Sequence, residues 1–325
     1  MNTLSTPPIQ LSVIIPVYNE EKYIRTLIES LLVDEGIEKE IFLVDGGSTD
    51  KTIDIIENFQ KARKNIFLVP NFKKYVSPGF NQAFKLSRGR YVTLMGAHAH
   101  YPENFFKNGL KYLQHDECDV VGGPLKQEGK TKVGKAIAYA MSSKFGVGGT
   151  EFRTEKKKMY VDSVAFAIYK REIFDEIGLL DEELIRNQDD ELHYRMNAAG
   201  FRVLMVPEME CVYYVRNSLS ALFQQYYQYG YYKPLVLKKV RKGLRLRHLV
   251  PSMFCIYLFS IPFISWISLI WLVPLLVYIF AIISISLKSK LKFKQQFVLM
   301  AAFPTLHISY GAGFLFGLTK ARKQK

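Results

Sequence analysis

The sequence predicts an α/β domain with a mostly parallel sheet flanked by helices, followed by C-terminal transmembrane helices. Over the first 120 residues, short β-branched runs alternate with amphipathic helical segments, which is the pattern of a parallel sheet covered on both faces. The last third of the 325-residue chain contains a stretch of 39 residues without a charged side chain, which is long enough for two passes through a bilayer.

The alternation of strands and helices indicates where ligands would bind. The first β-branched run spans 11–17, and Asn19 behind it can cap a helix that has Glu20 and Glu21 in its first turn. Further strands are expected at 40–45, 65–70, 90–96 and 119–123. Helices are expected at 53–59, from Ser77-Pro78 through Leu86, and from Pro102 onward. Because ligands bind beyond the carboxyl ends of parallel strands, the chemistry is expected in the segments PVYNE, VDGGSTD and GAHAH.

The net positive charge of the chain comes from its last third. The whole chain has 44 Lys and Arg against 30 Asp and Glu, but no acidic residue follows Glu210. The basic residues of this region flank apolar runs, which is typical of a membrane surface with anionic lipids and argues against nucleic-acid binding. The three cysteines form no CxxC pair, which argues against a disulfide scaffold and against a cysteine zinc site.

The apolar C-terminal region predicts a membrane anchor. Residues 249–287 contain no charged side chain and predict a transmembrane hairpin with a turn near Ser265–Ser268; the alternative is a buried core hairpin of a soluble protein. Basic residues on both sides place both flanks of the hairpin in the cytosol. No signal peptide is recognisable, so the front half is expected to stay in the cytosol as well.

The predicted organisation has further parts around the hairpin. Residues 1–215 form the α/β domain, and the Tyr-rich basic segment 216–248 lies on the bilayer or packs on that domain. A second apolar run, 297–318, is interrupted by Pro304 and by glycines, and it is compatible with a span, a re-entrant segment or an interfacial one. A third complete span would place the basic tail, 319–325, outside, against the positive-inside rule.

Asp45 is the best-placed ligand-binding carboxylate of the front half. It ends a strand, and the two glycines after it let the backbone come close to a ligand. A carboxylate at this place can accept hydrogen bonds from a nucleobase or a ribose. Ser48, Thr49 and Asp50 follow directly, and for them capping of the next helix is an equally good interpretation.

Two further segments contain candidate site residues. In GAHAH, His98 and His100 point the same way if the chain is extended, and they would bind a divalent metal or a diphosphate, or pack locally. In RNQDDELHYRMNAAG, three acidic residues begin a helix that Gly200 ends. Acidic residues stabilise any helix start, so this segment is either catalytic or only a favourable first turn.

Together, several blocks of sequence resemble the family 2 glycosyltransferases. The blocks are SVIIPVYNEEKYIRTLIESL, IFLVDGGSTDKTIDII, PGFNQAFKLSRGRYVTLMGAHAHYPENF, and VDSVAFAIYKREIFDEIGLLDEEL followed by NQDDELHYRM. They occur in the family's order and spacing across roughly residues 10–235. The resemblance implies a GT-A fold, which is Rossmann-like. With its C-terminal helices, the chain is similar to the succinoglycan-type transferases of bacterial exopolysaccharide biosynthesis.

The resemblance implies roles for individual residues. The nucleotide sugar would be held by Pro16, Tyr18, Glu20, Asp45, Asn81, Arg90, Ala97 and His98. Of these, Asn81 and Arg90 belong to the block that approaches the diphosphate. The catalytic ED motif of the family falls at Gln188-Asp189, so Asp189 would be the general base. The acceptor side would include Gln188, Asp190 and Glu191.

This sequence departs from the family pattern at the metal motif. The DxD motif falls at Gly96-Ala97-His98, so a glycine replaces the first carboxylate that would bind Mg²⁺ or Mn²⁺. His98 is the remaining candidate metal ligand, or a donor to the phosphate. The QxxRW motif of processive synthases is not met either, because Gln228 and Tyr229 stand at its last two positions. Transfer of one sugar per event is therefore expected.

The reaction implied by the resemblance is an inverting transfer. A nucleotide sugar would donate one sugar to a polyprenyl-linked saccharide, with the enzyme on the cytosolic face of a bacterial inner membrane and in contact with anionic lipids. One alternative is transfer directly to polyprenyl phosphate. The other is a non-catalytic membrane scaffold of glycosyltransferase fold, which Gly96 favours and Asp189 opposes.

Overall fold

A computed structural model describes residues 9–33, 36–97, 99–240, 244–264 and 268–323. The chain divides into two compact units. The first consists of Met1–Leu125 and Glu155–Tyr213, and the second of Lys126–Thr154 and Tyr214–Lys325. The segment Lys126–Thr154, which interrupts the first unit, therefore belongs with the C-terminal helices.

The described residues form eleven strands and thirteen α-helices. The strands are β1 Leu11–Val17, β2 Lys39–Asp45, β3 Ile66–Pro70, β4 Tyr91–Leu94, β5 Ala99–His100, β6 Val120–Gly123, β7 Leu125–Glu128, β8 Met159–Tyr160, β9 Ala165–Lys170, β10 Val203–Met205 and β11 Cys211–Tyr214. The helices are α1 Ile24–Leu31, α2 Thr52–Ala62, α3 Val76–Leu86, α4 Phe105–Gln114, α5 Lys132–Ser142, α6 Lys144–Val147, α7 Glu151–Thr154, α8 Glu172–Ile177, α9 Gln188–Ala199, α10 Leu219–Val240, α11 Leu246–Ile264, α12 Val273–Lys288 and α13 Phe293–Lys323.

The core of the first unit is an eight-stranded sheet in the order β3-β2-β1-β4-β9-β6-β10-β8. The first four strands of this order are parallel, as predicted. β9 runs antiparallel to both of its neighbours, β4 and β6, so the far half of the sheet is mixed. The α/β fold class is thus confirmed, with an antiparallel strand that the alternation in the sequence did not reveal.

Strand register places the predicted chemistry along one edge of this sheet. Val17 is opposite Asp45, and Asp45 is opposite Pro70, so β1, β2 and β3 end together. All seven residues of β2 are buried, because helices cover both faces. The helix after β1 begins at Ile24 and not at Asn19, which has a left-handed φ of 54°. The expected cap by Asn19 is therefore wrong.

The second unit is helical. Three of its segments are long and apolar enough to cross a membrane: Leu246–Ile264, Leu269–Lys288 and Phe293–Ala321. The break between the first two includes 265–267, so most of the predicted hairpin turn lies outside the described residues. Within the unit, the last of these segments is much more buried than the other two, because α5, α10, α11 and α12 all pack against α13.

Candidate active site

The loops that follow β1, β2 and β3 meet at the carboxyl edge of the sheet. The Gly46 amide donates to the carbonyl of Val17 over 2.9 Å, and the Asn71 amide donates to the carbonyl of Asp45 over 2.7 Å. A Cβ added to Gly46 would lie 3.6 Å from the Lys74 carbonyl oxygen and 3.7 Å from the Cβ of Tyr18. The three loops therefore form one continuous surface at this edge.

Asp45 shapes the second of these loops. Its buried carboxylate accepts the amide protons of Gly47 over 2.9 Å and of Ser48 over 3.0 Å, and it also accepts the Ser48 hydroxyl. Gly47 has a φ of 86°, which a glycine adopts without strain. Asp50 accepts the amide of Thr52 over 3.0 Å at the start of α2. Ser48 and Asp50 therefore stabilise the turn between β2 and α2, as one of the two interpretations predicts. Asp45 also stabilises this turn, and it lies at the carboxyl edge where the ligand is expected.

The loop after β1 carries the other residues expected at the nucleotide. Tyr18 is 55% exposed, whereas Glu20 is buried and its amide donates to Thr52 Oγ1 over 2.7 Å. Pro16 lies half-buried near the end of β1. Asn19 accepts the Thr49 amide over 2.8 Å, so the first two loops are also joined by side chains. Pro16, Tyr18, Glu20 and Asp45 are thus brought together at one sheet edge.

A phenylalanine occupies the space beside Gly96, at the end of β4. A Cβ added to Gly96 would lie 3.0 Å from Cε1 of Phe166, which is closer than ordinary van der Waals contact. Phe166 has a left-handed φ of 51°, a strained conformation for a bulky residue. The Tyr101 hydroxyl accepts the Gly96 amide over 2.8 Å, and burial raises the pKa of Tyr101. Ala97 is buried beside them, and His98 lies outside the described residues.

The residues at this place do not fit a carboxylate metal site. Gly96 offers no side-chain donor, and a Cβ at this position would be in tight contact, 3.0 Å, with the Phe166 ring. The part of the chain that the structure describes contains no group of three or more His, Cys, Asp or Glu side chains that would hold a metal ion. His100 is exposed on β5, which pairs with β11. The described residues at this place therefore offer no set of side-chain ligands for a divalent metal.

Asp189 lies in the first turn of α9 and is exposed to solvent. Its carbonyl oxygen is 2.8 Å from Nδ1 of His193, a residue that is 3% exposed. Nε2 of the same imidazole accepts the amide of Val164 over 3.4 Å. Burial lowers the pKa of His193, against an opposing contribution from the Asp189 carbonyl, so the ring is neutral at neutral pH.

The rest of the first turn of α9 is held by an arginine. Arg195 binds both carboxylate oxygens of the buried Glu191, over 2.7 and 2.8 Å, and also donates to the carbonyls of Gly178 and Leu179. Glu191 is therefore bound to Arg195 and supports the helix start. Gln188 has a buried side-chain oxygen without a hydrogen-bond partner among the described residues. Asp190 is half-buried.

Of the two residues expected near the diphosphate, Asn81 is hydrogen-bonded to Leu180 and Arg90 lies away from the loops of the site. The Asn81 amide donates to the carbonyl of Leu180 over 2.8 Å and accepts the Leu180 amide over 3.1 Å, so this buried side chain fixes the loop before α9. Arg90 precedes β4, whose first residue, Tyr91, is opposite Leu11 at the start of β1. Because the loops of the site follow the other end of β1, Arg90 is at the wrong edge of the sheet for the expected contact.

Three residues that no sequence motif indicates contribute to this region: Lys74, Phe166 and His193. Cε of Lys74 would lie 3.9 Å from a Cβ added to Gly47, which places an exposed ammonium group beside the Asp45 loop. Phe166, which contacts Gly96, and His193, which accepts the Val164 amide, also belong to this region. Lys74 could have been predicted as a phosphate-binding residue, because it is a lysine in a loop that follows a strand. No feature of the sequence predicts the contacts of Phe166 and His193.

Comparison with known proteins gives the family. Residues 12–178, just over half of the chain, match the family described as Glycosyl transferase family 2. The chain belongs to this family. It is a glycosyltransferase, and its apolar C-terminal helices fit a membrane-anchored member. The family resemblance that was read from the four sequence blocks is thereby confirmed.

Two relatives match nearly the full length. One is "Dolichyl N-acetyl-alpha-D-glucosaminyl phosphate 3-beta-D-2,3-diacetamido-2,3-dideoxy-beta-D-glucuronosyltransferase" of Methanococcus voltae, which is 28% identical over 95% of this chain and 97% of its own. The other is the succinoglycan biosynthesis protein ExoA of Rhizobium meliloti, which is 28% identical over 96% of both chains.

Solved structures show the same fold. The mannosyltransferase PcManGT from Pyrobaculum calidifontis, in complex with GDP-Man and Mn²⁺, has a TM-score of 0.61 at 15% identity, over 99% of this chain and 89% of its own. Residues 1–349 of Staphylococcus aureus TarS, in complex with UDP-GlcNAc, have a TM-score of 0.51 at 17% identity, over 97% and 92%. The predicted GT-A fold is confirmed by these neighbours.

Proposed function

We propose that this enzyme transfers one sugar from a nucleotide sugar to a lipid-linked saccharide, with inversion at the anomeric carbon, during the synthesis of a bacterial surface polysaccharide. The observation that carries the proposal is the exposed carboxylate of Asp189 on a helix start that His193 and Arg195 hold in place. The names of the two full-length relatives supply the substrate class, since one is a dolichyl-phosphate-linked sugar transferase and the other a succinoglycan biosynthesis protein.

The nucleotide sugar would bind against the loops after β1, β2 and β3. In this proposal Tyr18, the backbone beside Pro16 and the carboxylate of Asp45 contact the base and ribose, with Glu20 behind them. The Lys74 ammonium lies beside the glycine loop, where it would neutralise charge on the departing diphosphate. In this proposal Lys74 has the role that the family resemblance implied for Arg90.

The chemical step needs a base and a leaving group. The acceptor hydroxyl attacks the anomeric carbon, and the bond from that carbon to the diphosphate oxygen breaks. Asp189 removes the hydroxyl proton, and Gln188 and Asp190 contact the acceptor beside it. The diphosphate leaves with its electron pair, stabilised by Lys74 and by backbone amides. His98 stays a candidate phosphate contact, since it lies outside the described residues.

The proposed organisation keeps the predicted segments. Residues 1–215, without Lys126–Thr154 of the second unit, form the catalytic domain on the cytosolic face of the inner membrane. Residues 216–248 contact the membrane surface, and 249–287 form the membrane hairpin. The flanks of this hairpin are basic, so both stay in the cytosol beside anionic lipids. This arrangement puts the active site on the side of the membrane where nucleotide sugars are made.

A donor panel tests the proposal. Membranes containing the enzyme are incubated with radiolabelled UDP-, GDP- and dTDP-sugars and with polyprenyl-diphosphate saccharides, and label in the organic extract is counted. We expect one donor to label a saccharide-bearing lipid. If only polyprenyl phosphate without a saccharide becomes labelled, the acceptor is polyprenyl phosphate itself, which is the alternative reaction. If no donor is transferred, hydrolysed or bound, the chain is a scaffold and the proposal fails.

A further inference from the structure

We propose that the second unit enters the membrane from the cytosolic side only. In this arrangement α13 lies in the membrane surface beside α10, and of the described residues of the hairpin only its tip, 256–264 and 268–277, penetrates the lipid. The proposal rests on the membrane attachment and cytosolic flanks of the proposed function, and not on the transfer reaction. It concerns contacts inside the second unit alone.

The first observation is the close pairing of α13 with α10. A Cβ added to Gly313 would lie 2.1 Å from the carbonyl oxygen of Tyr227, and one added to Gly317 would lie 2.2 Å from that of Tyr231. Small residues allow this backbone approach. Further along, Lys238 donates to the carbonyl of Ala321 over 2.7 Å. The two helices therefore run side by side, in the same direction, over the second half of α13.

The composition of α10 places it outside the hydrocarbon core. It contains three glutamines and three lysines, and it is not one of the three described helices that are apolar enough to cross a membrane. Its first turn follows β11 after only a few residues, and its last turn carries Lys238 and Lys239. A lysine at the bilayer centre costs about 2.5–3.5 kcal/mol. If α13 crossed the bilayer, α10 would have to be in the bilayer with it.

The first half of α13 packs against the segment that contains α5 and α6, as its second half packs against α10. Gln295 donates to the carbonyl of Lys132 over 3.4 Å. Further along α13, the ring of Phe145 packs against Phe303 at 5.0 Å, and His307 contacts the Phe145 carbonyl over 3.0 Å. Because α5 and α6 carry Lys132, Lys135 and Lys144, this half also belongs at the polar surface of the membrane.

The contacts of the hairpin with α13 limit how deep it reaches. Sγ of Cys255 lies 3.5 Å from the Ile308 carbonyl, and the Tyr278 hydroxyl lies 2.8 Å from Nδ1 of His307. These contacts are about halfway along α11 and about a third of the way along α12. Residues 256–264 of one arm and 269–277 of the other remain beyond them. At about 1.5 Å per residue each arm adds roughly 14 Å, against a hydrocarbon core of ~30 Å. The tip therefore ends near the bilayer centre, which differs from the two full spans that length alone predicts.

The hairpin tip and α13 both carry exposed apolar side chains that a lipid would cover. Phe259, Phe263 and Ile270 at the tip are between 66% and 78% exposed. On α13, Phe293, Phe297 and Phe316 are also more than half exposed. No acidic residue follows Glu210, so the basic flanks face anionic headgroups without competing charge. The occupant of this surface is the cytosolic leaflet of a bilayer.

Cysteine accessibility tests the arrangement. Cys118, Cys211 and Cys255 are replaced by Ala, and single cysteines are placed at Ser268, Lys290 and Thr319. A membrane-impermeant maleimide is applied to intact cells, to everted vesicles and after detergent. We expect Lys290→Cys and Thr319→Cys to label only in everted vesicles, and Ser268→Cys only after detergent. Labelling of Ser268→Cys or Thr319→Cys in intact cells would overturn the proposal.

Nitroxide depth measurement separates the two parts of the proposal and does not depend on labelling chemistry. Spin labels at Phe297→Cys, Phe316→Cys and Phe263→Cys are compared in vesicles of phosphatidylethanolamine and phosphatidylglycerol. We expect Phe297→Cys and Phe316→Cys at similar shallow depths, roughly 5–10 Å below the headgroups, and Phe263→Cys deeper than both. Placement of Phe297→Cys and Phe316→Cys in opposite leaflets would show that α13 spans. Transfer activity plays no part in either readout, so a failure here leaves the proposed reaction untouched.

Discussion

Nδ1 of His193 lies 2.8 Å from the carbonyl oxygen of Asp189, one helical turn earlier in α9. A carbonyl oxygen only accepts, so Nδ1 carries the proton, and Nε2 is then free to accept the Val164 amide over 3.4 Å. One neutral imidazole therefore joins the first turn of α9 to the chain that enters β9. The side chain of His193 therefore fixes the start of α9, which carries the proposed base, to the segment just before β9.

Replacing His193 should affect catalysis more than substrate binding. His193→Leu removes both hydrogen bonds of the ring, each worth about 0.5–1.5 kcal/mol. We expect kcat to fall by roughly five- to 150-fold, as follows from two such bonds, with little change in KM for the nucleotide sugar. Steady-state kinetics with the donor found in the panel gives the two constants separately.

A conservative variant controls for general destabilisation. The amide of His193→Asn can donate to the Asp189 carbonyl from nearly the position of Nδ1, so this variant should recover much of the activity that His193→Leu loses. If both variants show the same decrease in kcat, the same increase in KM and the same decrease in Tm, His193 only supports the fold.

Two exposed basic residues should behave differently. Lys74 lies beside the glycine loop, whereas Arg90 lies at the opposite end of β1, about 20 Å away along the strand at ~3.3 Å per residue. Lys74→Ala should weaken nucleoside-diphosphate binding about ten- to hundredfold, as the loss of a charged hydrogen bond of about 1.5–3 kcal/mol predicts. Arg90→Ala should leave Kd by calorimetry unchanged. An effect of Arg90→Ala equal to that of Lys74→Ala would remove Lys74 from the site.

Transfer should not depend on a divalent metal. Gly96 has no ligand to offer, and Phe166 fills the space beside it. We expect initial rates in excess EDTA to match those in Mg²⁺ or Mn²⁺. Gly96→Ala should lower the free energy of unfolding by about 1–3 kcal/mol through crowding against Phe166, and Phe166→Leu in the same chain should relieve part of this loss. Abolition of activity by EDTA, with recovery on adding Mn²⁺, would contradict this prediction.

Asp45 should matter for both the loop and the nucleotide. Its carboxylate accepts the Gly47 and Ser48 amides, so Asp45→Ala removes the loop contacts together with any contact to the ligand. We expect nucleoside-diphosphate affinity to fall about ten- to hundredfold, on the basis of roughly 1.5–3 kcal/mol for a charged hydrogen bond. Ser48→Ala, which keeps the backbone amide, is the matched control and should change Kd less than threefold. An unchanged Kd for Asp45→Ala would exclude Asp45 from the site.

The parallel half of the sheet was predictable because its strands are short β-branched runs between helices. The run 11–17 is the observed β1, and the runs 40–45 and 65–70 are within one residue of β2 and β3. The position of Asp45 at the carboxyl edge follows from this alternation alone. The antiparallel β9 was not predictable in this way, because its direction depends on pairing with both β4 and β6, far away in the sequence.

The roles of individual site residues were harder to predict. A motif position indicated the diphosphate for Asn81, but the structure shows its amide fixed to Leu180, about a hundred residues later. The contact between Gly96 and Phe166 likewise joins residues that are far apart in the sequence. Both depend on how distant segments pack, and no local pattern records that. The first turn of α9 was found because acidic residues in a row are a visible local signal.

The central claim is that Asp189 is the base for sugar transfer, and Asp189→Asn tests it most directly. Transfer from the identified donor to the lipid-linked acceptor is measured in a single turnover, together with nucleotide Kd, beside Asp190→Asn as the matched neighbour. General-base catalysis contributes ~10²–10⁴-fold, so Asp189→Asn should lose at least about a hundredfold in rate with an unchanged Kd, while Asp190→Asn, which removes only an acceptor contact, should lose roughly tenfold or less. A rate for Asp189→Asn above about one tenth of the original would contradict the account, since a loss of at least ~10²-fold is expected of the base.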